Sequence, residues 1–279
     1  MSEPVPAHRF RAAIAALVGV AIGAIAVALV VIIGGDNRTT SAAKWSSWSP
    51  PDGGTLGARE IADHLAPLYR ISSVDQLDVV TVVNLNTSST TATGTTGTAA
   101  ATNGLQVAVR APSSSQVSLL GGHTIAYNLC GIGSSNCSIT AGKASPERLL
   151  LLRREALELA LYTFKYIDGV QNVVAILPPG HTVAGCSGIC PTPHQKTSVK
   201  SVDIALLFVK AELQPWLDKP LSETFPERFP PEVPELTLWK QTPEAGLVAQ
   251  ITERGLFSEK LVQAQDGSNL IVLDPQPPQ

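Results

Sequence analysis

The sequence predicts an α+β protein: an N-terminal transmembrane helix, then one mixed sheet packed by two or three helices, with long Gly/Pro/Ser/Thr-rich loops. An uncharged apolar run fills Ala12 to Gly35, far longer than a core element needs. Short apolar runs recur through the rest of the chain, among them Val173–Leu177 and Val202–Val209, and read as central strands. A long, almost wholly apolar helical segment opens at Ser145-Pro146-Glu147.

The apolar run comes first. A helix rising about 1.5 Å per residue needs about 20 apolar residues to cross a hydrocarbon core of about 30 Å. A cleavable signal peptide has a shorter apolar core, about 7–15 residues, although Ser41-Ala42-Ala43 offers small residues to a peptidase. The expectation is an uncleaved signal-anchor. A cytoplasmic tail (1–11) is too short to cross unaided, so the C-terminal part is expected outside, in the cell membrane's extracytoplasmic space. Arg9 and Arg11 abut the helix start while Arg38 and Lys44 lie several residues past its end; the counts tie, so the positive-inside rule supports this orientation only through proximity. The lipid bilayer is then the partner of residues 12–35. Gly19 and Gly23 form a Gly-x-x-x-Gly step that permits close helix approach and a weak homodimer; an Ala/Gly-rich anchor produces such a step by composition as well.

Residues 36–54 read as a juxtamembrane linker. Trp45 and Trp48 suit either a membrane interface or the edge of a folded domain. The outer α+β domain is expected over 55–275, with a short tail at 276–279. Thr55 to about Tyr69 has helical spacing at Ile61, Leu65 and Leu68, and Leu77–Leu85 reads as a strand. Residues 86–104 are almost all Thr, Ser, Ala and Gly, too poor in apolar surface to offset their conformational entropy, and read as a flexible insertion. Leu105–Val109 and Thr124–Leu129 should be strands.

Ser145 is placed to cap the long helix, with Pro146 at its first position, and Asp168-Gly169 to stop it. Arg154, Glu158, Tyr162 and Lys165 make a narrow polar stripe, while Arg153 falls on the apolar side and should snorkel or meet a carboxylate. Prolines from 215 to 235 should exclude regular structure and leave an arm over the domain. Thr242-Pro243-Glu244 opens a shorter helix. Lys260–Gln265, Asp266-Gly267 and Asn269–Leu273 read as a hairpin.

Chemistry is sparse. A net charge of -3 with no basic run argues against nucleic acid as a partner. The four cysteines, Cys130, Cys137, Cys186 and Cys190, lie in the segment expected to be oxidising and read as two disulfides. Three pairings are open; Cys130 with Cys137 and Cys186 with Cys190 is favoured, because each pair sits in a Gly/Ser-rich loop. A metal site at His181, Cys186, Cys190 and His194 is the sharper alternative, but that spacing matches no tight zinc pattern. No nucleophile elbow, Walker loop or dinucleotide fingerprint appears in the outer part, and His64 and His123 are isolated. No catalytic, cofactor-binding or metal residue is assigned.

The strings Glu60-Ile61-Ala62-Asp63-His64, Ala160-Leu161-Tyr162-Thr163-Phe164-Lys165-Tyr166 and Val262-Gln263-Ala264-Gln265-Asp266-Gly267-Ser268 resemble uncharacterised actinobacterial proteins with one N-terminal membrane helix and an outer domain of unknown function. The resemblance implies that topology and an envelope setting; it implies no reaction, ligand or site residue. The expected function is a membrane-anchored interaction or accessory module working with another envelope protein through loops 130–137 and 178–198. An envelope hydrolase and an extracytoplasmic sensor are the competing classes.

Overall fold

The computed structural model describes residues 44–83, 85, 105–111, 116–129, 145–178, 203–226, 229–264 and 267–275. Contacts divide the chain into two units, Met1–Lys44 and Trp45–Gln279. The described fold is that of the second unit. No helix among the described residues is long and apolar enough to cross a membrane. The run 12–35, with Gly19 and Gly23, lies outside them.

Helix α1 (Thr55–Leu65) starts where the Asp52 carboxylate accepts the N–H groups of Gly54 at 2.7 Å and Gly57 at 3.3 Å, placing negative charge at the positive end of the helix. Its predicted last turn tightens into a 3-10 turn, Ala66–Leu68, around Pro67, which has no N–H for the α ladder. The chain then folds back on itself through an Arg70–Gln76 bridge, so Leu77 pairs with Tyr69 rather than a sheet neighbour. The strand expected over Leu77–Leu85 is consequently confined to β1, Thr81–Val83.

The other strands are β2 (Leu105–Arg110), β3 (Val117–Leu119), β4 (Thr124–Asn128), β5 (Asn172–Ile176), β6 (Ile204–Val209), β7 (Leu256–Gln263) and β8 (Asn269–Pro275). They form one mixed eight-stranded sheet in the order β1-β4-β5-β6-β7-β8-β2-β3. The β4/β5 and β8/β2 pairs are parallel and the rest antiparallel. Leu85, just beyond β1, forms a parallel bridge with Leu105 at the start of β2. The sheet therefore curls until its ends meet, and β3 alone stands off the circuit, paired to the later half of β2. Side chains that alternate inward, including Val107, Ala126, Val174, Ala205, Ile271 and Leu273, fill the enclosed core.

The opposite side of β4, β5 and β6 carries Ile125, Tyr127, Val173, Ala175, Leu206 and Phe208 into a second, larger core under the helices. Its centre is α2 (Pro146–Tyr166), the crossover joining parallel strands β4 and β5. The Ser145 side chain accepts the Arg148 N–H at 3.1 Å, as its sequence position predicts. The chain leaves α2 through Gly169 at φ +71, a conformation that excludes most other residues.

After β6 come α3 (Lys210–Leu217), α4 (Leu221–Thr224), α5 (Leu236–Trp239) and α6 (Pro243–Glu253). The expectation of no regular structure over 215–235 fails: a helix occupies Leu221–Thr224, a 3-10 turn occupies Val233–Glu235, and Pro215 lies inside α3. Its lost hydrogen bond would have gone to the carbonyl of Ala211, an exposed residue that water can serve.

Candidate functional site

Helix α2 is buried on every side from Arg148 to Phe164, so the residues of its predicted polar stripe have nowhere to go but inward. Arg154 is 1% exposed. Its Nε donates to Glu244 of α6 at 2.6 Å, and its Nη1 donates to the Tyr69 hydroxyl at 2.7 Å and to Glu158 at 3.1 Å. The Tyr69 hydroxyl donates to Glu158 at 2.6 Å, and the guanidinium also sits 4.6 Å from the Phe225 ring centroid. Burial by itself would make Arg154 easier to deprotonate, but Tyr69, Glu158 and Glu244 outweigh it and hold it charged. Burial, with the Glu244 charge beside it, raises the Glu158 carboxyl against the pull of Arg154. Only Lys165, the last residue of the stripe, reaches solvent.

Arg153 meets no carboxylate directly. It crosses to α6, where Nε donates to the Thr252 hydroxyl and Nη2 to the Ala249 carbonyl, both at 2.7 Å. Burial lowers it to about 10, with the Glu253 charge acting the other way.

A second acidic group lies behind this seam. Asp78 and Glu155 are 1% and 0% exposed, and none of their carboxyl oxygens has a hydrogen-bond partner of ordinary geometry. Burial pushes Asp78 up to about 8, opposed by Glu155 and Arg148. Burial, then the charges of Asp78 and Glu158, raises Glu155 well above the carboxylate range. Two adjoining buried carboxyls cannot both ionise at neutral pH, so the pair retains a proton. These groups could exchange protons chemically, but the apolar core that encloses them admits no substrate.

The residues that join the Trp45–Gln279 unit to the preceding chain are part of this construction. Trp45 packs edge-on against Tyr162 and Tyr166, at 5.4 and 5.6 Å between centroids. Trp48 stacks on His64 at 3.9 Å and 8°. The Trp45 carbonyl accepts the Leu221 N–H at 2.7 Å. Of the two roles open to these tryptophans, both here plug the domain edge.

An open cleft of about 420 Å³ lies between α3 and α6. Leu207, Leu213 and Ile251 line its apolar part, Glu212 and Trp216 stand on the α3 wall, and Gln250, Glu253 and Arg254 on the α6 wall. Residues 212 and 216, and residues 250, 253 and 254, recur at helical three- and four-residue spacing, so each set shares one face. Gly255 closes the end: a Cβ there would lie 2.6 Å from the Leu207 carbonyl, which is why this turn carries glycine. Nothing in the sequence pattern marked this cleft, because its walls are two segments distant in the chain.

The sequence-predicted cysteines, Cys130, Cys137, Cys186 and Cys190, lie outside the described residues, as do His181 and His194. Topology does relate their segments: 130–144 follows β4 and 179–202 follows β5, and these strands are parallel neighbours. The described residues that precede the two segments therefore lie at the same end of the sheet. Among the described residues no group of three or more His, Cys, Asp or Glu is placed to hold a metal ion. His123 is exposed, its carbonyl accepting the N–H groups of Gln171 and Asn172. The chain matches no family model, no curated protein and no solved structure.

Proposed function

We propose that this chain is a membrane-anchored, extracytoplasmic interaction or accessory module of a bacterial cell envelope, with residues 12–35 as anchor and the N-terminus cytoplasmic. The observation that supports an interaction role is the outward face of β7-β8-β2-β3. The helices pack mainly over β1, β4, β5 and β6, and none of those strands belongs to this face. Leu119 there is 58% exposed, and Val117 beside it and Val262 farther across the same face are exposed too. Strand β3 is also the end of the strand order, and its outer edge, Val117-Ser118-Leu119, has no strand partner among the described residues and carries neither Lys nor Pro to block pairing. Such an edge accepts an added strand from a partner, with the exposed apolar side chains giving specificity. A hydrolase would need convergent acids and bases open to substrate, whereas those of the α2 seam are sealed in the core.

A photoreactive residue in place of Val117, in the full chain in intact cells, tests this reading. The expected outcome is one reproducible cross-linked envelope protein, lost when Leu119→Lys is added. No cross-link, or one indifferent to Leu119→Lys, sinks the interaction role of this face. Protease added to intact spheroplasts tests the topology separately: the outer domain should be degraded without lysis.

A further inference from the structure

We infer that the partner at the β3 edge, on the reading of that edge as an interaction site, is a second copy of this chain. The two β3 strands join antiparallel about a two-fold axis beside Ser118. Which backbone groups face outward follows from the hydrogen bonds to β2. The Leu120 N–H donates to the Val107 carbonyl at 2.8 Å, and the Ala111 N–H donates to the Gln116 carbonyl at 3.2 Å. Residues 116, 118 and 120 thus turn their backbone toward β2, and by the alternation of an antiparallel ladder Val117 and Leu119 turn theirs to the outer edge.

That edge is its own complement. Turning a second copy by a half-rotation beside Ser118 sets Val117 against Leu119 of the second copy, and Leu119 against its Val117. Each pair exchanges both of its outward N–H and C=O groups, as an antiparallel ladder requires. The same register opposes two aliphatic side chains, 40% and 58% exposed in the single chain, at each pair. Ser113 to Leu120 carries no charge, so two identical strands meet without like-charge repulsion. Arg110, the β2 neighbour of Val117, is already paired with Asp274. The other end of the sheet closes on β2 through Leu85 and Leu105, which leaves β3 as the edge to share. Such a contact uses the same patch on both copies and closes at two rather than growing into a fibre. A three-residue strand pairs weakly alone, and the anchor proposed for residues 12–35 compensates by holding copies in one plane at raised effective concentration.

Two differently tagged full-length copies, expressed together in intact cells with a photoreactive residue in place of Val117 in one of them, test this directly. Irradiation should give a product that carries both tags, and peptide mapping should place the link at Ser118 to Leu120 of the other copy. Leu119→Lys in both copies removes both aliphatic pairs and should cut the two-tag product by about tenfold. That side chain is exposed, so the urea midpoint should not move. A two-tag product linked outside residues 116–120, or one whose yield ignores Leu119→Lys, overturns the paired edge. A product that joins one tag to an unrelated envelope protein overturns the second copy but leaves the interaction role of the edge standing. No product at all overturns both.

Discussion

The helix-covered side of the sheet and its bare side handle the same residue types in opposite ways. Under α2, α6 and the 69–78 turn, Arg154, Glu158 and Glu244 are almost completely withdrawn from water and bonded at 2.6–3.1 Å. On the outward face of β8, Arg110 and Lys260 both pair with Asp274, but with 35% of the Arg110 side chain and 69% of that of Lys260 still exposed. Coulomb attraction between partners is similar in form, yet the first set has lost its hydration and the second has kept most of it. Charges inside the core are therefore committed to each other. Those outside are available to water, salt or a partner.

The largest effect should come from breaking the inner set. Arg154→Ala leaves Glu158 and Glu244 buried without their cation and should lower unfolding free energy by about 3–5 kcal/mol, measured as the shift in urea midpoint of the full chain followed by tryptophan fluorescence. A loss below about 1 kcal/mol would mean that water enters the seam and the contrast between the two sides is false.

The acid pair sharpens the comparison through pH. Asp78, held at about 8 in the folded chain against an ordinary value of 3.8, keeps a proton that the unfolded chain releases. The folded state thus binds more protons between those values, and stability falls as pH rises, by about 1.4 kcal/mol per unit for each such proton. The loss starts near pH 4 and ends just past pH 8. Glu259 of β7, raised to about 7 by burial and then by the Asp203 charge, acts in the same direction but stops a unit earlier. Urea midpoints across that range should decline for the native chain. Asp78→Asn should lessen the decline without abolishing it, because burial still raises Glu155, and Glu259→Gln should leave the upper end sloping. A midpoint that climbs toward pH 8 would contradict both assignments.

The smallest effect belongs to the outer set. Arg110→Ala should change stability by about 1 kcal/mol or less, and less still at high salt, by the same urea measurement. A larger loss would show that the β8 face is shielded, and that its exposed apolar residues are not free for a partner.

Elements with local causes were legible from the residues alone. Ser145-Pro146 starts α2, Gly169 ends it, Thr242-Pro243 starts α6, and Gly267 at φ +82 turns the β7–β8 hairpin. Each signal acts through its own backbone within a few residues, so no distant partner can cancel it. Buried strands β5 and β6 were also legible, as short apolar runs of strand length. Three features needed the tertiary structure. The polar stripe of α2 has the same periodicity whether it faces water or a neighbour, and only Tyr69 and Glu244, 85 and 90 residues away from Arg154, turn it into an internal seam. Strand β3 is too short for any pattern, and exists because the later edge of β2 is free to pair. The closing of the sheet rests on Leu85 meeting Leu105, and the α3–α6 cleft on β6 and β7 lying side by side. Burial and pairing are properties of two segments at once, so neither segment announces them in its own residues.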